Sequence, residues 1–215
     1  MDFVRSNIWA FQIISGVLWT LAYILIIKRG FQDRTFGMPL PALAANISWE
    51  FLFSFIRPHP TPQLYVNIVW FLFDVVILFQ AFRFGKAVFE GGLPKRLFYP
   101  ALALTLVIGF GLVAAISSEF NDWEGKYAAF GQNLMMSVLF VSMLFQRNNV
   151  GGQSLYIAVF KMAGTLVPSV LFFAFVPSSP LLNFLYVSIF IFDLIYVLAL
   201  YQKLAGSGIN PWARF

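Results

Sequence analysis

Glu50 closes the stretch Asn46-Ile47-Ser48-Trp49-Glu50, which lies inside a long apolar segment and sets Asn46 one helical turn before the acid. A carboxyl group in hydrocarbon costs roughly 2.5 to 3.5 kcal/mol on insertion scales, so an intramembrane acid marks a functional site by default. Three further ionisable residues stand within apolar runs: Asp74, Lys161 and Asp193. Helical spacing groups other side chains with these acids. Asn46 and Glu50 are an i, i+4 pair, Asn67, Trp70 and Asp74 recur at i, i+3 and i+7, and Tyr186 and Asp193 lie seven apart. Each of these sets is a polar and aromatic stripe on one helix face. Stripes of this kind also serve as interhelical hydrogen-bond glue, worth under about 2 kcal/mol per contact. Glue and function stand level for Asn46, Asn67 and Asp74, whereas Glu50 and Asp193 are read as functional.

At about 1.5 Å of rise per residue, Glu50 lies roughly 9 Å, Asp74 about 12 Å and Asp193 about 18 Å from the outer ends of their helices. The three acids can therefore line one cavity. Lys161 lies about 9 Å from the cytosolic end of its helix, close enough to snorkel to the interface.

Other chemistries find little support. The chain has no cysteine and a single histidine, His59, which removes disulfides, thiol nucleophiles, zinc-thiolate sites and multi-histidine metal sites. No phosphate-cradling glycine loop, His-Glu-x-x-His, serine elbow or Asp-rich diphosphate motif is present. Acid-base chemistry here must use carboxyls, with neither metal nor cofactor expected. A retinal Schiff base would need a lysine in the last helix, and that helix has none before its cytosolic end.

The elements that must position these groups follow from hydropathy. With 60% apolar residues, 11% charged and a mean hydropathy of +0.80, the 215-residue chain falls outside the soluble range, where about a quarter of residues are charged. Seven apolar runs can be drawn: 8–27, 38–56, 66–82, 97–116, 128–145, 155–176 and 181–201. Each has about the length of a membrane-spanning helix, and unbroken apolar runs exclude the alternating strands of a barrel. The expectation is one all-α multi-pass membrane domain over 1–215, with seven transmembrane helices.

Ten bases fall in the odd-numbered connections and the C-terminal tail, against Arg5, Arg57 and Lys126 on the other side. This bias places the N-terminus outside or in a lumen and the C-terminus in the cytosol. The net charge of +5 is thereby read as a topology signal, with no patch for nucleic acid. Connections such as 57–62, 91–94, 148–152 and 177–180 are short and rich in Pro, Gly, Asn and Ser, so neighbouring helices are antiparallel. The first run is too long for a signal-peptide core and is kept as a span.

The motifs Asn46-Ile47-Ser48-Trp49-Glu50-Phe51, Val66-Asn67-Ile68-Val69-Trp70-Phe71 with Asp74, and Phe192-Asp193-Leu194-Ile195-Tyr196 resemble those of the integral-membrane terpene cyclases of meroterpenoid and indole-terpenoid biosynthesis, the paxilline-cyclase type. The resemblance covers nearly the whole chain in helix count. It implies metal-independent, proton-initiated cyclisation of a prenylated small molecule, farnesyl or longer, with Glu50 and Asp193 as the two catalytic carboxyls. On this reading Asn46, Trp49, Asn67, Trp70, Asp74 and Tyr186 contact the substrate, and cavity-facing aromatic rings stabilise the carbocation while excluding water. The rival expectation from another class is a small proton-coupled transporter, since intramembrane carboxyls also relay protons. Such a transporter would show paired broken helices, and the only interior interruption visible is Pro168.

Overall fold

A computed structural model describes residues 1–88, 94–147 and 149–215. The predicted turn at 91–94, apart from Pro94, and Asn148 of the predicted 148–152 turn lie outside these residues. The described chain is all-helical. A short α1 (Asp2–Ser6) precedes α2 (Ile8–Gln32), α3 (Leu40–Phe51), α4 (Gln63–Val88), α5 (Phe98–Glu119), α6 (Lys126–Gln146), α7 (Leu155–Phe175) and α8 (Pro180–Gly206).

Six of these, α2 and α4 to α8, are long and apolar enough to cross a membrane. The predicted second span is the exception. It forms a helix only from Leu40 to Ile56, the last turn of which, Leu52–Ile56, widens to π geometry. At 1.5 Å per residue that is about 25 Å, against about 30 Å of hydrocarbon. Sequence fixes its start: Pro39 has extended backbone and Pro41 lies in the first turn, where a missing N–H costs nothing.

The packing partners define a closed ring. Going round it, α2 packs on α4, α4 on α3, α3 on α6, α6 on α8, α8 on α7, and α7 on α2 again. α5 lies outside the ring against α3. Gly109 makes that approach possible, because a Cβ there would come within 2.9 Å of the Ala44 backbone. α3 is thus covered by α4, α5 and α6, which explains why Ala42, Leu43, Ala44, Ala45, Ile47 and Glu50 are all buried.

Two local details shape the ring interior. Pro168 leaves the Gly164 carbonyl without its helical N–H, and the Ser15 hydroxyl of α2 donates to it at 2.9 Å, so α7 continues unbroken. Gly125 adopts φ +67°, where a Cβ would collide with Phe53 and the Trp49 indole. This turn delivers the Gly125 carbonyl to the Trp49 Nε1–H at 2.9 Å and starts α6 beside the end of α3.

Candidate active site

The ring encloses a cavity of about 750 Å³ lined by α2, α3, α4, α6, α7 and the 59–62 connection. One end is built from Ile8, Trp9, Pro60, Glu124, Lys126 and Val176, residues at helix ends on the face predicted to be outer. From there Gln12, Gly16, Trp19 and Tyr23 descend one face of α2 to the deep end, where Tyr23, Asn46 and Glu50 meet.

Glu50 is 1% exposed and reaches this deep end. Its Oε1 accepts from the Tyr23 hydroxyl at 2.6 Å and from Asn46 Nδ2 at 3.0 Å. Its Oε2 has no hydrogen-bond partner among the described residues. Both neighbouring donors therefore aim at one oxygen, and a proton carried by the acid belongs on the other. Asn46 holds the cluster together: Nδ2 also lies within reach of the Tyr23 hydroxyl and of Asp74 Oδ2, the latter at 2.9 Å, while Oδ1 accepts from Gln132 Nε2 at 3.2 Å. The π turn begins two residues after Glu50, a feature that often accompanies functional sites.

Of the eight residues singled out from sequence, Asn46, Trp49, Glu50 and Trp70 line the cavity. Trp49 is anchored through Gly125, and Trp70 donates from Nε1 to Thr20 Oγ1 at 3.1 Å. The other four do not line it. Asp74 is completely buried behind the wall, accepts from Asn46 at 2.9 Å and stands close beside the Glu50 carboxyl. Asn67 is also fully buried; it accepts from Gln63 Nε2 at 2.8 Å and faces the Phe53 carbonyl and His59 Nδ1, so it ties the 59–62 connection to α4. Tyr186 packs against Phe130 in a separate apolar cluster, ring centroids 4.7 Å apart.

Asp193 is the largest departure. The expectation that three acids line one cavity does not hold, since only Glu50 of the three does so. Lys161, expected within snorkelling reach of the interface, is instead 1% exposed and pairs with Asp193 Oδ1 at 2.6 Å. The ammonium also donates to Ser137 Oγ at 2.7 Å and Asn133 Oδ1 at 3.3 Å. A buried acid on the adjacent helix at the same depth outcompetes a climb to the interface, because an unpaired charge in hydrocarbon is costly.

Sequence reasoning missed Tyr23, Trp19, Gln132, Asn133 and Thr165, all of them cavity-lining. A tyrosine or amide in an apolar run carries little signal by itself, and the spacing of Trp19 and Tyr23 was the available hint. His59 also lines the cavity, stacked on Phe53 at 4.8 Å, and burial lowers its pKa below the usual histidine value. Its imidazole is accordingly neutral at neutral pH. No group of three or more acidic or histidine side chains placed to hold a metal ion occurs among the described residues.

A ring of apolar helices around a cavity with a buried, hydrogen-bonded carboxyl at its deep end defines a multi-pass membrane protein with an internal reaction or binding chamber. The sequence matches the Pyr4-like transmembrane terpene cyclases over residues 2–203, and the chain belongs to that family. It is an integral membrane protein and a terpene cyclase by membership. Among its relatives, the Pyr4-family terpene cyclase mfmH of Annulohypoxylon moriforme is 33% identical over 166 residues, 74% of this chain and 67% of that protein. Terpene cyclase macJ of Penicillium terrestre is 30% identical over 175 residues, 79% and 68% of the respective chains. Asnovolin H synthase nvfL of Aspergillus novofumigatus is 27% identical over 165 residues, 72% and 65%. No solved structure matches.

Proposed function

We propose that the protein is a metal-independent cyclase in which Glu50 protonates an epoxide or terminal olefin of a prenylated substrate and the cavity guides the carbocation through ring closure. The observation that carries this reading is the Glu50 carboxyl, buried at the deep end of the cavity with two donors on Oε1 and none on Oε2. The Oε2 proton moves to the epoxide oxygen, whose C–O bond breaks, or to an alkene carbon, whose π electrons form the new C–H bond. The carbocation left behind is attacked by the next double bond. A final proton loss restores a double bond, so the overall change is an isomerisation. Tyr23 and Asn46 stabilise the carboxylate that remains, and Trp49, Trp70, Trp19 and Phe172 offer ring faces to the cation.

In this reading Asn46, Trp49 and Trp70 contact a farnesyl or longer chain, Asp74, Asn67 and Tyr186 support the walls, and Asp193 is the second required carboxyl. The substrate enters with its prenyl end first from the end lined by Trp9 and Pro60, which faces outward if the N-terminus does. Leu40–Ile56 then completes seven crossings, its shortness compensated by burial against three neighbours. The transporter alternative is not favoured by membership in a cyclase family.

The test is product analysis, by mass and NMR, on membranes holding matched amounts of wild type, Glu50→Gln and Asp74→Asn, supplied with farnesylated aromatic compounds with and without a terminal epoxide. Glu50→Gln is expected to lower turnover about 10²- to 10⁴-fold, the range of a positioned general acid. Asp74→Asn should keep much of the activity, because an amide oxygen still accepts from Asn46. Purified wild type in excess EDTA should turn over as untreated protein does. Normal cyclisation by Glu50→Gln, or loss in EDTA restored by magnesium, would sink the mechanism.

A further inference from the structure

Lys161 and Asp193 stand one layer behind the cavity wall. Asn133 and Thr165 line the cavity, whereas Lys161, Asp193 and Ser137 do not. Asn133 and Ser137 are successive rungs of α6, Lys161 and Thr165 successive rungs of α7, and Asp193 reaches in from α8. The three ammonium hydrogens match three acceptors: Asp193 Oδ1 at 2.6 Å, Ser137 Oγ at 2.7 Å and Asn133 Oδ1 at 3.3 Å. Ser137 spends its own hydrogen on the Asn133 carbonyl at 2.9 Å and so can only accept from Lys161. With Oδ1 turned to the ammonium, the Asn133 amide must present Nδ2 towards Thr165 Oγ1, 3.0 Å away. The orientation of two cavity-lining groups is thus set by a cation the substrate does not reach.

That cation is tolerable beside a developing carbocation only while a carboxylate cancels it. We propose that Asp193 acts on the reaction through Lys161: the carboxylate neutralises and holds the ammonium, and the ammonium fixes Asn133 and Thr165 in the cavity wall. Asp193 and Lys161 are positioning residues, and Glu50 alone touches the reacting atoms as an acid. This inference rests on the cyclase reading above. It explains how a carboxyl with no face on the cavity can still be required. It also separates two roles that the presence of both carboxyls would otherwise merge.

Removing the acid alone leaves a buried lysine with no counter-ion to hold it in place, whereas removing both groups together does not. Asp193→Asn is therefore expected to lower kcat about 100-fold, the scale of a displaced positioning group. The double variant Lys161→Gln/Asp193→Asn, in which an amide replaces the ammonium as donor to Asn133, should regain at least about tenfold over Asp193→Asn, the size of a coupling between contacting residues. KM should change less than kcat in both. Asn133→Ala, which keeps the ion pair, should lower kcat and alter the ratio of cyclised products. All variants are assayed on the substrate the wild type cyclises, at matched amounts of folded protein judged by size-exclusion profile in detergent. Glu50→Gln is run beside them. If Glu50→Gln retains turnover, the cyclase mechanism fails whatever the pair does. If Glu50→Gln is inactive and the folded double variant is as inactive as Asp193→Asn, Asp193 acts directly and the positioning role is overturned. Wild-type turnover by Asp193→Asn, or unchanged turnover and product ratio in Asn133→Ala, overturns it too, and the latter result counts even where an Asp193 variant does not fold.

Discussion

Tyr23→Phe removes a single oxygen atom from the deep end of the cavity, and its effect can be worked out from the geometry. The ring is held by neighbours that do not depend on the hydroxyl: Trp19, Trp70 and Phe73 lie with centroids 6.1, 6.2 and 5.8 Å from it. The fold and cavity shape should survive. What disappears is the 2.6 Å hydrogen bond to Glu50 Oε1. That bond gains strength when Glu50 gives up its proton, because hydrogen bonds to a charged group contribute about 1.5–3 kcal/mol. The neutral bond already contributes about 1 kcal/mol, so the increment felt in the transition state is about 0.5–2 kcal/mol, which at about 1.4 kcal/mol per factor of ten gives a loss of roughly 2- to 30-fold in kcat. Asn46 Nδ2 still reaches Oε1, so the loss should stay below that of Glu50→Gln. KM should hold, since the missing interaction matters after proton transfer begins. The assay is steady-state turnover in detergent with matched protein, alongside a thermal midpoint to establish that folding is intact. A Tyr23→Phe protein within twofold of wild type would show that Oε1 is not the oxygen supported during proton transfer.

Reporter fusions at the C-terminus and in the 85–95 connection should report cytosol, and fusions at the N-terminus and near Asn121 the outer side; disagreement between the first two would mean that the span count over α5 to α8 is wrong, and a cytosolic N-terminus with the other three as expected would mean that Leu40–Ile56 does not cross. Gly16→Leu should lower kcat/KM without lowering the thermal midpoint. Gly16 lines the cavity, a Cβ there meets no atom within 4 Å, and replacing an interior helical glycine favours the helix by roughly 0.5–1 kcal/mol. Unchanged kcat/KM would place the substrate path elsewhere.

The helices were legible because hydrocarbon demands long apolar runs, and all seven runs proved helical. Their ends were less so. α4 starts at Gln63 and α8 continues to Gly206, beyond the apolar limits at Val66 and Tyr201, because polar residues remain helical once outside the hydrocarbon. Asn46 and Glu50 were legible as a site because they share one face of α3 and that face turns into the cavity, whereas of the Asn67, Trp70 and Asp74 stripe only Trp70 reaches it. Asn67 and Tyr186 share the spacing but not the destination: Asn67 serves a connection and Tyr186 an apolar cluster. Spacing identifies a face of a helix, and only the order of helices around the ring decides what that face meets. The pairing of Lys161 with Asp193 is of this kind: the short 177–180 turn makes α7 and α8 neighbours, but it does not reveal which of their faces meet.

A chamber that hosts a carbocation must keep fixed positive charge away or cancelled. At an effective dielectric of about 20, an unpaired charge about 8 Å away opposes the cation by roughly 2 kcal/mol, close to a thirtyfold loss in rate. Two lysines at this cavity, one behind its wall and one at its mouth, are each paired with carboxylates. Lys161 is held by Asp193, and Lys126 at the mouth is held by Asp122 at 2.7 Å with Glu124 at 3.6 Å. The donors to Glu50 Oε1, by contrast, are neutral, Tyr23 and Asn46. An arginine or lysine in their place would bind the carboxylate so well that the acid could not keep its proton. Neutral donors on Glu50 and carboxylates on the lysines are thus two consequences of one requirement: the proton must be available at the deep end, and the positive charge it creates must not face an uncancelled lysine on the way to ring closure.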